Sequence, residues 1–164
     1  MRKFLNSVIL ILVFTGQALA CDVKPYFSPP DNVRWIILTE LDKAKDTVDV
    51  AAYAFTDPMV AEKLAALARR GVKVVVYMDR VQSRNRYSKG RYLAASGVEV
   101  HIKKRRYLQH NKYMIIDGSE VLTGSYNFSG SAAKQDNNFE VIADCPDVVG
   151  RFKDDFKRLL KGGD

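Results

Sequence analysis

HNKYMIIDGSEVLTGSYN, from His110 to Asn127, decides how this chain is read. Tyr113 to Ile116 is an apolar run with strand character, Asp117-Gly118 is a strong two-residue hairpin signal, and Ser119 to Thr123 supplies a returning strand. A two-residue turn would set Ile116 opposite Ser119 and His110 opposite Ser125. Side chains two apart share a strand face, so His110 joins Lys112 and Ser125 joins Asn127. One imidazole, one ammonium, one hydroxyl and one amide are therefore expected to converge. An isolated His-x-Lys is more often a solvated pair, but Gly-Ser-x-Asn at matching parity favours a site. Imidazole acts as nucleophile or proton carrier near neutral pH, lysine adds a fixed charge, and Ser and Asn donate to non-bridging oxygens. A phosphodiester fits that inventory.

Outward from this hairpin, strands and helices alternate. Val23 to Phe27 reads as strand, Pro29-Pro30-Asp31 as a turn and helix start, and Trp35, Leu38, Leu41 and Ala44 recur at helical spacing. Thr47 to Phe55 is rich in strand formers. Asp57-Pro58 opens a helix over Met59 to Arg70 that Gly71 ends. Val72 to Met78 is almost wholly apolar, as in a strand covered on both faces. Arg86 to Ser96 reads as helix, Val98 to Ile102 as strand, Ser129 to Asp136 as polar loop, Phe139 to Ala143 as strand and Asp147 to Leu160 as helix. This order predicts one α/β domain, a mixed sheet flanked by helices on both faces.

The first twenty residues have the form of a secretory signal peptide: basic Arg2 and Lys3, an apolar core from Val8 to Phe14, and Ala18-Leu19-Ala20 before Cys21. The apolar core is shorter than the roughly 20 residues that span a bilayer. Export to the periplasm or out of the cell is the expectation, with residues 21–164 as the mature domain. The 164-residue chain carries 26 Lys+Arg against 19 Asp+Glu; removing Arg2 and Lys3 leaves 24 and a net +5. That surplus favours polyanionic partners. It is concentrated in Arg84, Arg86, Lys89 and Arg91 and in Lys103-Lys104-Arg105-Arg106, just ahead of His110. Charge runs are usually solvated faces, but this one adjoins the proposed centre and reads as a phosphate-backbone groove, with Tyr87, Tyr92 and Tyr107 as base-stacking or plain packing residues. An oxidising compartment would let Cys21 and Cys145 pair, and the rival is a lipid on Cys21 with attachment to a membrane. No group of His, Cys or carboxylates stands at metal-ligand spacing, and His101 reads as a strand residue among Val98, Val100 and Ile102.

The pattern His-x-Lys, four residues, Asp, six residues, Gly-Ser-x-Asn is met by His110, Lys112, Asp117, Gly124, Ser125 and Asn127. It resembles the signature of the phospholipase D superfamily, and specifically its small bacterial endonucleases with one copy of the motif. The likeness extends to AAYAFTDP at Ala51 to Pro58, RRGVKVVVYMD at Arg69 to Asp79, and NNFEVI at Asn137 to Ile142. The resemblance implies a metal- and cofactor-independent phosphodiesterase cutting DNA or RNA through a phosphohistidine on His110, at a site completed by a second, identical subunit. It implies that Lys112 and Asn127 hold the non-bridging oxygens with Ser125 assisting. Glu140 is the candidate carboxylate behind the imidazole, with Asn138 as the other occupant of that place. Asp117, at the hairpin tip and of different parity from His110, is read as chiefly structural. The resemblance equally admits a phospholipase D or cardiolipin hydrolase acting on phospholipid head groups, against which the sequence near the motif is basic rather than apolar. A Ser125 nucleophile with His110 as its base fits an acyl substrate, and the adjoining Lys and Asn suit phosphate better.

Overall fold

The structure, a computed structural model, describes residues 21–104 and 107–162; the leader at 1–20 and Arg105 and Arg106 lie outside the described residues. Seven strands form one mixed sheet: β1 Asp22–Ser28, β2 Thr47–Ala52, β3 Lys73–Met78, β4 Glu99–Ile102, β5 Lys112–Ile116, β6 Glu120–Gly124 and β7 Asn137–Ala143. Their spatial order is β1-β7-β6-β5-β2-β3-β4. β2, β3 and β4 run parallel, and every other neighbouring pair is antiparallel. The helices are α1 Val33–Asp42, α2 Pro58–Arg69, α3 Gly90–Ala95 and α4 Pro146–Leu160.

Both sheet faces are covered, as the apolar β3 predicts. Val48, Val50, Ala52, Val74, Val76, Met114 and Leu122 pack with Ile37 and Leu41 of α1 and Leu64 of α2. On the other face Ala51, Val75, Tyr77, Tyr113, Ile115 and Val121 pack with Val149, Phe156 and Leu159 of α4. α2 begins where the sequence places it: the Asp57 carboxylate accepts the N–H groups of Met59 and Val60, and Pro58 fills a first-turn position. The third helix is shorter than expected. A 3-10 turn occupies Gln82–Arg84, and Asn85 Oδ1 takes the Tyr87 N–H in a local turn, so regular helix starts only at Gly90. Cys21 and Cys145 are joined by a disulfide with Cα atoms 4.7 Å apart, next to the Asp22–Ala143 pair of β1 and β7.

The hairpin register differs from the expected one by a residue. Asp117 and Gly118 both adopt positive φ, and the Ser119 N–H bonds the Ile116 carbonyl at 3.0 Å, as a tight turn requires. Ser119 nevertheless stays in the loop, and pairing resumes at Ile116–Glu120 and runs to Tyr113–Thr123. The tip is gripped from outside: the Asp117 N–H bonds Thr47 O, and its carboxylate accepts the N–H groups of Lys45, Asp46 and Thr47. A one-residue slip exchanges the faces. His110 therefore does not lie opposite Ser125, and it precedes β5 rather than standing on it.

Candidate active site

Strand polarity gathers the polar groups. β5 starts, and β2, β3, β4 and β6 finish, at one end of the sheet, so His110, Lys112, Ser125 and Asn127 share that end despite the altered register. Lys112 is buried and its backbone pairs with Ala52, while His110 is exposed. The Lys112 ammonium lies 3.3 Å from His110 Nδ1 and 3.4 Å from Nε2, and donates to the His110 carbonyl at 2.8 Å. An ammonium only donates, so the ring nitrogen that accepts from it carries a lone pair. Burial lowers the Lys112 pKa, which makes its proton easier to share.

A tyrosine that the sequence reading gave no role completes this pair. The Tyr53 ring, one residue beyond β2, stands 4.5 Å from the His110 ring at 56°, and Lys112 Nζ lies 5.1 Å from its centroid. Its hydroxyl accepts from Gln82 Nε2 at 3.2 Å, and its N–H bonds the Asn111 carbonyl. Imidazole and ammonium thus share one aromatic wall.

A second group without a role in the sequence reading is Asp79, only 1% exposed at the end of β3. One oxygen accepts the N–H groups of Val81 and Gln82; the other accepts the Gln109 N–H at 3.0 Å. Gln109 Oε1 in turn takes the Asn111 N–H at 3.0 Å. The residues on both sides of His110 are therefore held by side-chain hydrogen bonds. Tyr53 and Asp79 both lie inside the segments AAYAFTDP and RRGVKVVVYMD, but pattern gave neither a side-chain function.

The Gly-Ser-x-Asn segment is set by a close approach. A Cβ on Gly124, whose φ is +144°, would meet the Asn138 carbonyl at 2.4 Å, so only glycine fits. Ser125 follows, exposed; its hydroxyl donates to Asn137 Oδ1 at 3.2 Å and accepts the Asn138 N–H at 3.1 Å. These bonds commit Ser125 to the start of β7. Asn127 is half-buried between buried Tyr126 and Phe128, and its Oδ1 is buried with no partner among the described residues.

Glu140 stands apart from the imidazole. It pairs with Thr123, which pairs with Tyr113, and so lies on the face opposite Lys112. Its carboxylate accepts from Asn138 Nδ2 at 2.8 Å. Asn137 is the better connected residue, its Nδ2 reaching Ser28 Oγ and the carbonyls of Ala132 and Gln135. Asp117 sits at the far end of the sheet, where burial raises its pKa but three backbone N–H bonds outweigh that and leave it lowered. Of the basic residues, Lys103 and Lys104 follow β4, Arg84 lies in the turn after β3, and the Arg86 guanidinium stacks on Tyr87 at 4.5 Å.

A family model described as "Cardiolipin synthase, PLD-like domain" matches residues 37–160. The chain belongs to the phospholipase D superfamily. Within that superfamily it is 33% identical over 130 residues to a protein named "Phospholipase D" from Rickettsia felis, covering 79% of this chain and 65% of that one. It thus spans just under two thirds of that relative's length. A "Mitochondrial cardiolipin hydrolase" from Xenopus laevis is 29% identical, covering 96% of this chain and 78% of that protein. The crystal structure of a phospholipase D family member, Nuc from Salmonella typhimurium, superposes with a TM-score of 0.82 at 30% identity, covering 88% of this chain and 97% of Nuc. The mixed sheet with helices on both faces is accordingly the superfamily's fold.

Proposed function

We propose that this protein is an exported, metal-independent endonuclease that hydrolyses phosphodiesters of DNA or RNA at a site shared by two identical subunits. The observation that carries the reading is the His110–Lys112 contact, 3.3 Å from ring nitrogen to ammonium, at a sheet end flanked by the cations Arg84, Lys103 and Lys104. The likeness to Nuc, over 97% of that chain, supports one motif-bearing domain as the working unit.

The chemistry is a double displacement. A His110 ring nitrogen attacks phosphorus, an N–P bond forms and the P–O bond to the leaving group breaks, with the leaving oxygen taking a proton from His110 of the partner subunit. That imidazole then accepts a proton from water as the water oxygen attacks phosphorus and the N–P bond breaks. Lys112 and the Asn127 amide stabilise the non-bridging oxygens as charge builds in the pentacoordinate state. Each step balances without an ion or cofactor.

A second reading, hydrolysis of phospholipid head groups or cardiolipin, has its own support. Tyr107 and Leu108, immediately ahead of His110, are 81% and 57% exposed, and Trp35 and Met59 are exposed at the starts of α1 and α2. The names of the Rickettsia and Xenopus relatives point the same way.

One assay separates the two. Purified mature protein in EDTA is offered single- and double-stranded DNA, RNA and anionic lipid vesicles, beside His110→Asn. Nucleic-acid cleavage that persists in EDTA and vanishes in the variant is expected. Loss of cleavage in EDTA would remove the mechanism, and cleavage of lipid alone would install the second reading. Sedimentation should find a dimer; a fully active monomer would overturn the shared site.

A further inference from the structure

A cavity of about 680 Å³ opens beside β4, outside the motif, lined by Arg80, Ser83, Arg84, Arg91, Lys103 and Lys104 among others. Five of those side chains are cationic, and among the described residues no carboxylate lines it. Lys103 is only 7% exposed, its N–H bonded to the Met78 carbonyl at 2.9 Å. Among the described residues, no ion pair or side-chain hydrogen bond engages the charged groups of Arg80, Arg84, Arg91, Lys103 or Lys104. Five like charges around one space repel one another. The fold tolerates this arrangement best when an anion of several charges occupies it.

We infer that this cavity is a phosphate-backbone subsite, holding a stretch of nucleic acid a few nucleotides away from the phosphate at His110; the inference rests on the endonuclease reading. Its place in the sheet gives the spacing. β4 is three strands from β5 in the order β5-β2-β3-β4, with Lys103 and His110 at the same end. At about 4.8 Å per strand that is roughly 14 Å. A strand rising about 3.4 Å per nucleotide covers this in about four nucleotides, and in fewer when extended. The two places are braced together: the Asp79 carboxylate that holds the N–H of Gln109 also holds those of Val81 and Gln82, in the turn bearing Arg80 and Arg84. A run of phosphates suits a concave pocket with a buried Lys103, whereas a flat bilayer presents its head groups to convex surfaces.

The test uses Arg84→Gln/Arg91→Gln, two exposed positions whose change leaves the core intact. Binding of fluorescent oligonucleotides of about two and about ten nucleotides is measured across a salt series, in a His110→Asn background so that nothing is cut. The long oligonucleotide should bind the unaltered pocket on the order of ten-fold tighter than the short one. The double substitution should erase that advantage and reduce the salt slope by about 1.5. An unchanged length advantage and slope would overturn the subsite, as would arginine-dependent binding to anionic vesicles with none to oligonucleotides. Because binding is read without cleavage, its outcome is distinct from the nuclease assay: failure of the endonuclease reading appears as an intact enzyme that cuts no nucleic acid.

Discussion

Asp79 accepts the backbone N–H of Gln109 at 3.0 Å, so a buried carboxylate at the end of β3 fixes the residue that precedes His110. Asp79→Asn places an amide where three N–H donors need acceptors. Stability should fall by about 1.5–3 kcal/mol. Turnover should fall about 10- to 100-fold through misplacement of His110, with KM little changed. Denaturant unfolding and steady-state kinetics on the same preparation check this; wild-type turnover in a destabilised variant would show that Asp79 does not position the imidazole.

Asp117 and His110 belong to one motif but occupy opposite ends of β5. Asp117→Asn should cost about 1–3 kcal/mol of stability, while turnover per folded molecule stays within about ten-fold. His110→Asn should lose at least about a thousand-fold. The depressed Asp117 carboxyl contributes stability present above about pH 4 and lost as pH falls through its folded value, so Asp117→Asn should flatten the acid side of the stability curve. Equal loss of turnover in the two variants would contradict the assignment.

Tyr53 supplies a ring to both His110 and Lys112. Tyr53→Phe keeps that ring and should retain activity within a few-fold. Tyr53→Ala removes it and should lower turnover by about ten-fold, the scale of one cation–π contact in a partly desolvated site. Identical effects of the two substitutions would assign the role to the hydroxyl instead.

Glu120, at the start of β6, has a buried oxygen with no partner among the described residues. Burial and the neighbouring charge of Glu40 push its carboxyl up to about 7, against Lys43 and Lys24, which lower it. Between about pH 4.3 and 7 the folded chain keeps a proton that the unfolded chain releases, so stability falls as pH rises through that window. Glu120→Gln should abolish this slope and raise stability at pH 8 by on the order of 1 kcal/mol, solvent screening holding the gain to that size. A melt series from pH 4 to 8 reads it, and parallel curves for the two proteins would refute it.

The disulfide closes a separation of 124 residues between Cys21 and Cys145. Its reduction should cost about 2–4 kcal/mol. Intact mass of the protein should show both thiols oxidised and no acyl chains; a lipid on Cys21 would leave Cys145 free.

Local pattern was enough, from the sequence alone, for the strands, for α2 with its Asp57 cap, for the alternation that makes an α/β sheet, and for the residues of the motif. Each of these depends on neighbours a few positions away, through periodicity, capping and turn chemistry. It was not enough for the hairpin register, because Ser119 remains in the loop under the grip of Asp117 on Lys45, Asp46 and Thr47, some seventy residues away in the chain. Nor could it find Tyr53 behind His110, Asp79 beneath Gln109, or the side of the sheet on which Glu140 falls. Those relations join different strands, and only strand order and polarity bring them to one place: β2, β3 and β4 end where β5 begins. Residue types therefore marked the candidate site, and the parallel and antiparallel packing of the sheet decided which side chains surround it.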